Sequence, residues 1–102
     1  MIRHIVLIKV KKETPQEKID DVFDILGALK DRIPGILDFS AGVNNSPEGI
    51  ARGYTHVFMM DFVDSAARDA YLPHPEHKAI QPPLMDILAE DEYKVLVIDF
   101  EV

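Results

Sequence analysis

Between Tyr71 and His77 the chain reads Tyr71-Leu72-Pro73-His74-Pro75-Glu76-His77, placing two of its four histidines and one of its three tyrosines within one short stretch. A neutral imidazole is a competent base near pH 7, and a phenol can donate a hydrogen bond to an oxygen that gains negative charge. Proton transfer is therefore the chemistry these residue types could perform. His77 would lie about three residues into a helix opened by Pro75, where the positive end of a helix dipole favours the uncharged imidazole. Glu76 beside it acts in the opposite direction. The prolines break the segment, and that break could turn Tyr71, His74 and His77 toward one cavity. A second cluster, Gly53-Tyr54-Thr55-His56, places Tyr54 and His56 on one strand face, where they could line a pocket.

Each of these residues also has a structural use. His74 can cap the helix that Pro75 starts, and Tyr71 can bury its ring while its hydroxyl bonds to backbone. His4 and His56 can be hydrogen-bonded core histidines, because buried polar groups find partners. His74 and His77 have the spacing of helical metal ligands, with His56 as a conceivable third. A catalytic zinc needs three convergent ligands, however, and Glu76 and Asp86 do not clearly share their face, so no metal site is expected. Gly49 and Gly53 make no phosphate-binding fingerprint, and Ser40, Ser46 and Ser65 lack the context of a nucleophile. No cofactor is expected.

The elements that must position these groups follow from hydrophobic period. Ile2 to Val10 predicts a strand with Ile2, His4, Val6, Ile8 and Val10 on one face and Arg3, Ile5, Leu7 and Lys9 on the other. Thr14-Pro15-Gln16-Glu17 predicts a helix start with a capping box. Ile19, Val22, Phe23, Leu26, Leu29 and Ile33 continue as one apolar stripe until Pro34-Gly35. Ile36 to Val43 predicts a second strand, Asn44 to Gly49 a turn, and Tyr54 to Phe62 a third strand. Asp64 or Ser65 caps a short helix through Tyr71. Leu72-Pro73 and Pro82-Pro83 then interrupt a broken helix that ends near Ala89. Lys94 to Phe100 predicts the last strand, apolar on both faces. The order β-α-β-β-α-β predicts an α+β, ferredoxin-like fold: a four-stranded antiparallel sheet with helices on one face.

The chain has 102 residues, 47% of them hydrophobic, and a net charge of −7, which predicts one folded domain spanning 1–102. Its acidic balance, with a pI near 4.9, argues against nucleic acid and anionic membrane surfaces as partners. The sequence has no cysteine, so disulfides, thiol nucleophiles and zinc–thiolate sites are excluded. With no leader or spanning segment visible, a cytoplasmic location is expected. Two helices can cover only one face of a sheet whose strands are apolar on both. An uncovered face of Ile, Leu, Val and Met is a patch that monomers rarely carry, which predicts a homodimer with the two sheets face to face.

Several segments together resemble one family. They are His4-Ile5-Val6-Leu7-Ile8-Lys9, Asn45-Ser46-Pro47-Glu48, Gly53-Tyr54-Thr55-His56-Val57, Tyr71 with His74-Pro75-x-His77, and Val97-Ile98-Asp99-Phe100. The chain resembles the stress-responsive α/β-barrel (Dabb) domain proteins over essentially its whole length. The resemblance implies a dimeric α/β barrel. A characterised plant member is a cofactorless cyclase acting on a poly-β-keto acid. By position, His77 matches its catalytic base, Tyr71 its assisting residue, and His4 and His56 its pocket histidines. Leu26 departs from it, standing where that cyclase has a pocket tyrosine. The resemblance thus implies a possible small carbonyl or polyketide-like ligand and cyclase or lyase chemistry at His77 and Tyr71. The alternative is a non-enzymatic stress or assembly protein in which the same residues are structural. A related barrel monooxygenase is disfavoured by the lack of tryptophan and of a cofactor fingerprint.

Overall fold

The computed structural model describes residues 1–102 and resolves the period-two segments into β1 (Ile2–Ile8), β2 (Ile36–Val43), β3 (His56–Phe62) and β4 (Val95–Glu101). All pairings are antiparallel, in the order β2-β3-β1-β4. Helix α1 (Gln16–Ala28) runs into a single 3₁₀ turn, Leu29–Asp31. Three short helices, α2 (Ser65–Tyr71), α3 (Pro75–Ala79) and α4 (Gln81–Ile87), connect β3 to β4. The helices lie on one face of the sheet, and the fold is ferredoxin-like. On β1 the even residues Ile2, His4, Val6 and Ile8 are buried against them. Leu26 of α1 and Met60 and Phe62 of β3 are fully enclosed in the same core. Burial of each such side chain contributes about 1.5–3 kcal/mol. The odd residues of β1 point to the open face, opposite Val57 and Met59 of β3 and Leu96, Ile98 and Phe100 of β4.

Local chemistry moves several element boundaries. Thr14 does not cap α1: its hydroxyl donates to the Lys11 carbonyl at 2.8 Å, and the helix opens from Pro15 with no side-chain cap. The expected capping box with Glu17 is therefore absent. Val10 lies outside β1 and touches Leu88 through an isolated bridge, while β3 starts at His56 rather than Tyr54. Pro82 and Pro83 do not interrupt a helix but occupy the first turn of α4, where a missing N–H leaves no intrahelical bond unmade. The first break falls at Leu72–His74, as Leu72-Pro73 predicts, and the second at Ile80 rather than at the prolines. Asp64 caps α2, accepting from the Ala67 amide at 2.8 Å. Gly35 ties the start of β2 to α2. Its φ is +93°, and a Cβ there would sit 2.6 Å from the Ala67 Cβ.

Candidate functional site

The broken helical segment leaves the β4 side of the sheet thinly covered. Val97 points to the helix side yet is 53% exposed. Between β1, β4 and the three short helices lies a mostly apolar cavity of about 200 Å³. His4, Tyr71, His77 and Gln81 are the residues with polar side chains among its lining.

His77 owes its position to the break after α2. The chain turns at Leu72–His74, and the His77 ring comes to lie on that of Tyr71, with centroids 4.1 Å apart at 31°. Nδ1 of His77 is 3.0 Å from the Leu72 carbonyl oxygen. A carbonyl can only accept, so the proton resides on Nδ1 and the neutral ring carries its lone pair on Nε2. The Gln81 amide nitrogen lies 3.3 Å from Nε2 and donates to it. These two hydrogen bonds set the tautomer. The five-residue α3 is too short for its dipole to be the main cause expected from sequence.

Tyr71 is 1% exposed and packs against Phe62 at a centroid distance of 5.0 Å. Burial pushes its phenol well above the ordinary value of 10.0, because the phenolate would lose its hydration. Tyr71 is thus a hydrogen-bond donor here and not a base. No sealed polar side-chain atom lacks a hydrogen-bond partner, and Tyr71 is among the residues that line the cavity. His4 meets the Tyr71 ring edge-on at 6.0 Å, and its Nδ1 donates to Asp99 Oδ1 at 2.7 Å. Arg68 Nη1 donates to the other oxygen of Asp99 at 3.2 Å. The carboxylate is held from both sides and fixes the orientation of the His4 ring.

The structure brings His77, Tyr71 and His4 together and places the other expected residues elsewhere. His74 caps α3, its Nδ1 accepting from the Glu76 amide at 3.1 Å, and does not line this cavity. His56 shares the helix face with His4 but sits four residues along the paired strands, opposite Ile8, roughly 13 Å away at strand rise. Its ring packs near Phe23, Nδ1 bonds to Thr55 Oγ1 at 2.8 Å, and desolvation lowers its pKa. Tyr54 donates to the Tyr93 carbonyl at 2.8 Å beneath the Lys9 ammonium. Tyr54 and His56 border a separate, wider cavity of about 520 Å³ at the open face. No three His, Asp or Glu side chains converge as metal ligands. Gln81, Asp99 and Arg68 were not foreseen from sequence. The spacing of four from His77 could have marked Gln81, whereas Asp99 emerges only from the β1–β4 register.

A family model described as "Stress responsive A/B Barrel Domain" matches residues 2–102. The chain is similar to the stress-response A/B barrel domain-containing protein HS1 of Arabidopsis thaliana, at 30% identity over 98% of this chain and 88% of that protein. Among solved structures it is similar to a dimeric ferredoxin-like protein of unknown function from Jannaschia sp., with 31% identity, a TM-score of 0.85 and coverage of 99% and 98%. It shares its fold with a hydroxynitrile lyase from Passiflora edulis at 23% identity and a TM-score of 0.82, over 97% of this chain and 90% of that one. No helix is long and apolar enough to cross a membrane.

Proposed function

Because the chain belongs to the stress-responsive A/B barrel domain family, we propose that residues 1–102 act as one Dabb unit whose helix-side cavity binds a small carbonyl compound, with His77 as base. His77 Nε2 takes a proton from a carbon flanked by carbonyls. The C–H electron pair moves into the enolate, and the Tyr71 hydroxyl donates to the enolate oxygen. The enolate can then attack a second carbonyl within the same molecule, as in a cyclase, or expel a leaving group, as in a lyase. The proton on Nε2 returns to the oxygen or carbon that ends the reaction. The observation that supports this proposal is the Nδ1 bond to Leu72, which leaves the lone pair on Nε2 of a ring that lines the cavity. The volume near 200 Å³ is below that of drug-sized ligand sites and favours a compact substrate.

The test is deuterium uptake from D₂O into a 1,3-dicarbonyl probe above the buffer rate, for the parent and for His77→Asn. The variant is expected to fall to the buffer rate, a loss of at least about 100-fold for a general base, while remaining folded. An unchanged rate would remove His77 from the chemistry.

The same hydrogen bonds favour a second, non-enzymatic function. His77 to Leu72 and the His74 cap together brace the junction of α2 and α3. If bracing is their whole purpose, His77→Ala lowers stability without changing the binding of any carbonyl compound.

We also propose a homodimer formed through the open sheet face, where Ile98 and Phe100 are 51% and 47% exposed. The dimeric Jannaschia relative supports self-association, and the apolar strand residues support this face as the place of contact.

A further inference from the structure

Gln81 is the one polar group of the cavity that sits on the lone pair of the proposed base. It opens α4 directly after the break at Ile80, and its amide nitrogen lies 3.3 Å from His77 Nε2. For Nε2 to take a proton from a ligand, this amide must first move aside. It then needs an acceptor, since a donor left unpaired in a mostly apolar cavity is costly.

We infer that Gln81 is the specificity-determining residue of the cavity, its displaced amide donating to the second oxygen of a 1,3-dicarbonyl while the Tyr71 hydroxyl holds the first. The inference rests on the carbonyl-binding proposal above and names the group that reads the substrate. Tyr71 lies against the face of the His77 ring, and Gln81 lies at its Nε2 edge. One donor thus sits on the base nitrogen, and a second belongs to the ring stacked on the imidazole. A carbon between two carbonyls can present its proton to Nε2 and an oxygen to each donor. A ketone with a single oxygen satisfies Tyr71 alone and leaves the Gln81 amide unpaired. A site built to hydrogen-bond an oxygen discriminates against the analogue that lacks it.

Acetylacetone and 2-pentanone share a carbon skeleton and differ by one oxygen. Their dissociation constants, measured by NMR titration of the parent, Gln81→Leu and Gln81→Glu, test the inference. The parent is expected to prefer acetylacetone. Both variants lose the amide donor and are expected to reduce that preference about tenfold, with 2-pentanone binding little changed. Using both variants guards against one that does not fold. An unchanged preference in a folded variant overturns the inference, as does a parent that binds neither compound. Loss of the preference in proteins that show no deuterium uptake would uphold Gln81 and remove the His77 base. Uptake with an unaltered preference would do the reverse.

Discussion

The Tyr71 ring is enclosed by Phe62, His4 and His77, and this enclosure makes its phenol a donor over the working range of most proteins. The sign of its pH effect follows from the raised pKa. In the unfolded chain the phenol ionises near 10.0, whereas in the folded chain it holds its proton above that value. Tyr71 therefore contributes nothing to pH dependence below about pH 10. Above it the unfolded state binds fewer protons, and stability falls as pH rises. Tyr71→Phe should lose less melting temperature than the parent between about pH 9 and pH 11, and its native tyrosinate absorbance at pH 10 should match the parent's. Parallel melting curves would show that Tyr71 titrates while folded. At this scale the sequence is informative about residue types with intrinsic acid–base chemistry. It was silent on Gln81, an amide whose importance comes only from lying beside His77. It could not place His74, whose ring serves as a cap because the α3 amides lack intrahelical partners.

The site depends on elements being short. A continuous helix from Ser65 to Ile87 would carry Tyr71 and His77 away from each other along its axis, at 1.5 Å per residue. The turn at Leu72–His74 instead folds one onto the other. Much of this was legible: period-two alternation marks the strands, the stripe from Ile19 to Leu29 marks α1, and Leu72-Pro73 marks the break. The start of α1 was misread because the Thr14 hydroxyl has two uses, and a nearby carbonyl at Lys11 takes it. Pro82-Pro83 was misread because proline both ends and begins helices, and only the backbone at Ile80 shows which. Gly35 joins this helical segment to the sheet through a contact that no pattern encodes. Gly35→Ala must adopt a positive φ and press on Ala67, so unfolding by denaturant should show a loss of about 2 kcal/mol or more. A variant as stable as the parent would mean that α2 moves freely against β2.

At the scale of the whole molecule, the sheet face opposite the helices is the surface left without a cover. Its centre is apolar, and its one ion pair, Arg3 Nε to Asp61 Oδ1 at 2.9 Å, is already formed. Covering it would bury that pair together, while Asp38, opposite Asp61 on the same face, would have to stay at the rim. A chain with net charge −7 repels its copy, so self-association through this face should strengthen with salt. Ile98→Asp places a carboxylate in the middle of the patch, opposite Ile5, without touching the core. Sedimentation should find the parent as a dimer and this variant as a folded monomer. A dimeric variant would move the contact to another surface.

Strand β1 lies at the heart of both surfaces, giving His4 to the cavity and Ile5 and Leu7 to the open face. Its residues are thus read in two interleaved frames. Inserting or deleting one residue there would shift both frames together, sending the imidazole outward and an aliphatic chain inward. Single-residue length changes in β1 are forbidden twice over, while changes by pairs preserve both frames. The proposed cavity chemistry and the proposed dimer contact are in this sense written on the same few letters, and neither can drift in length without the other.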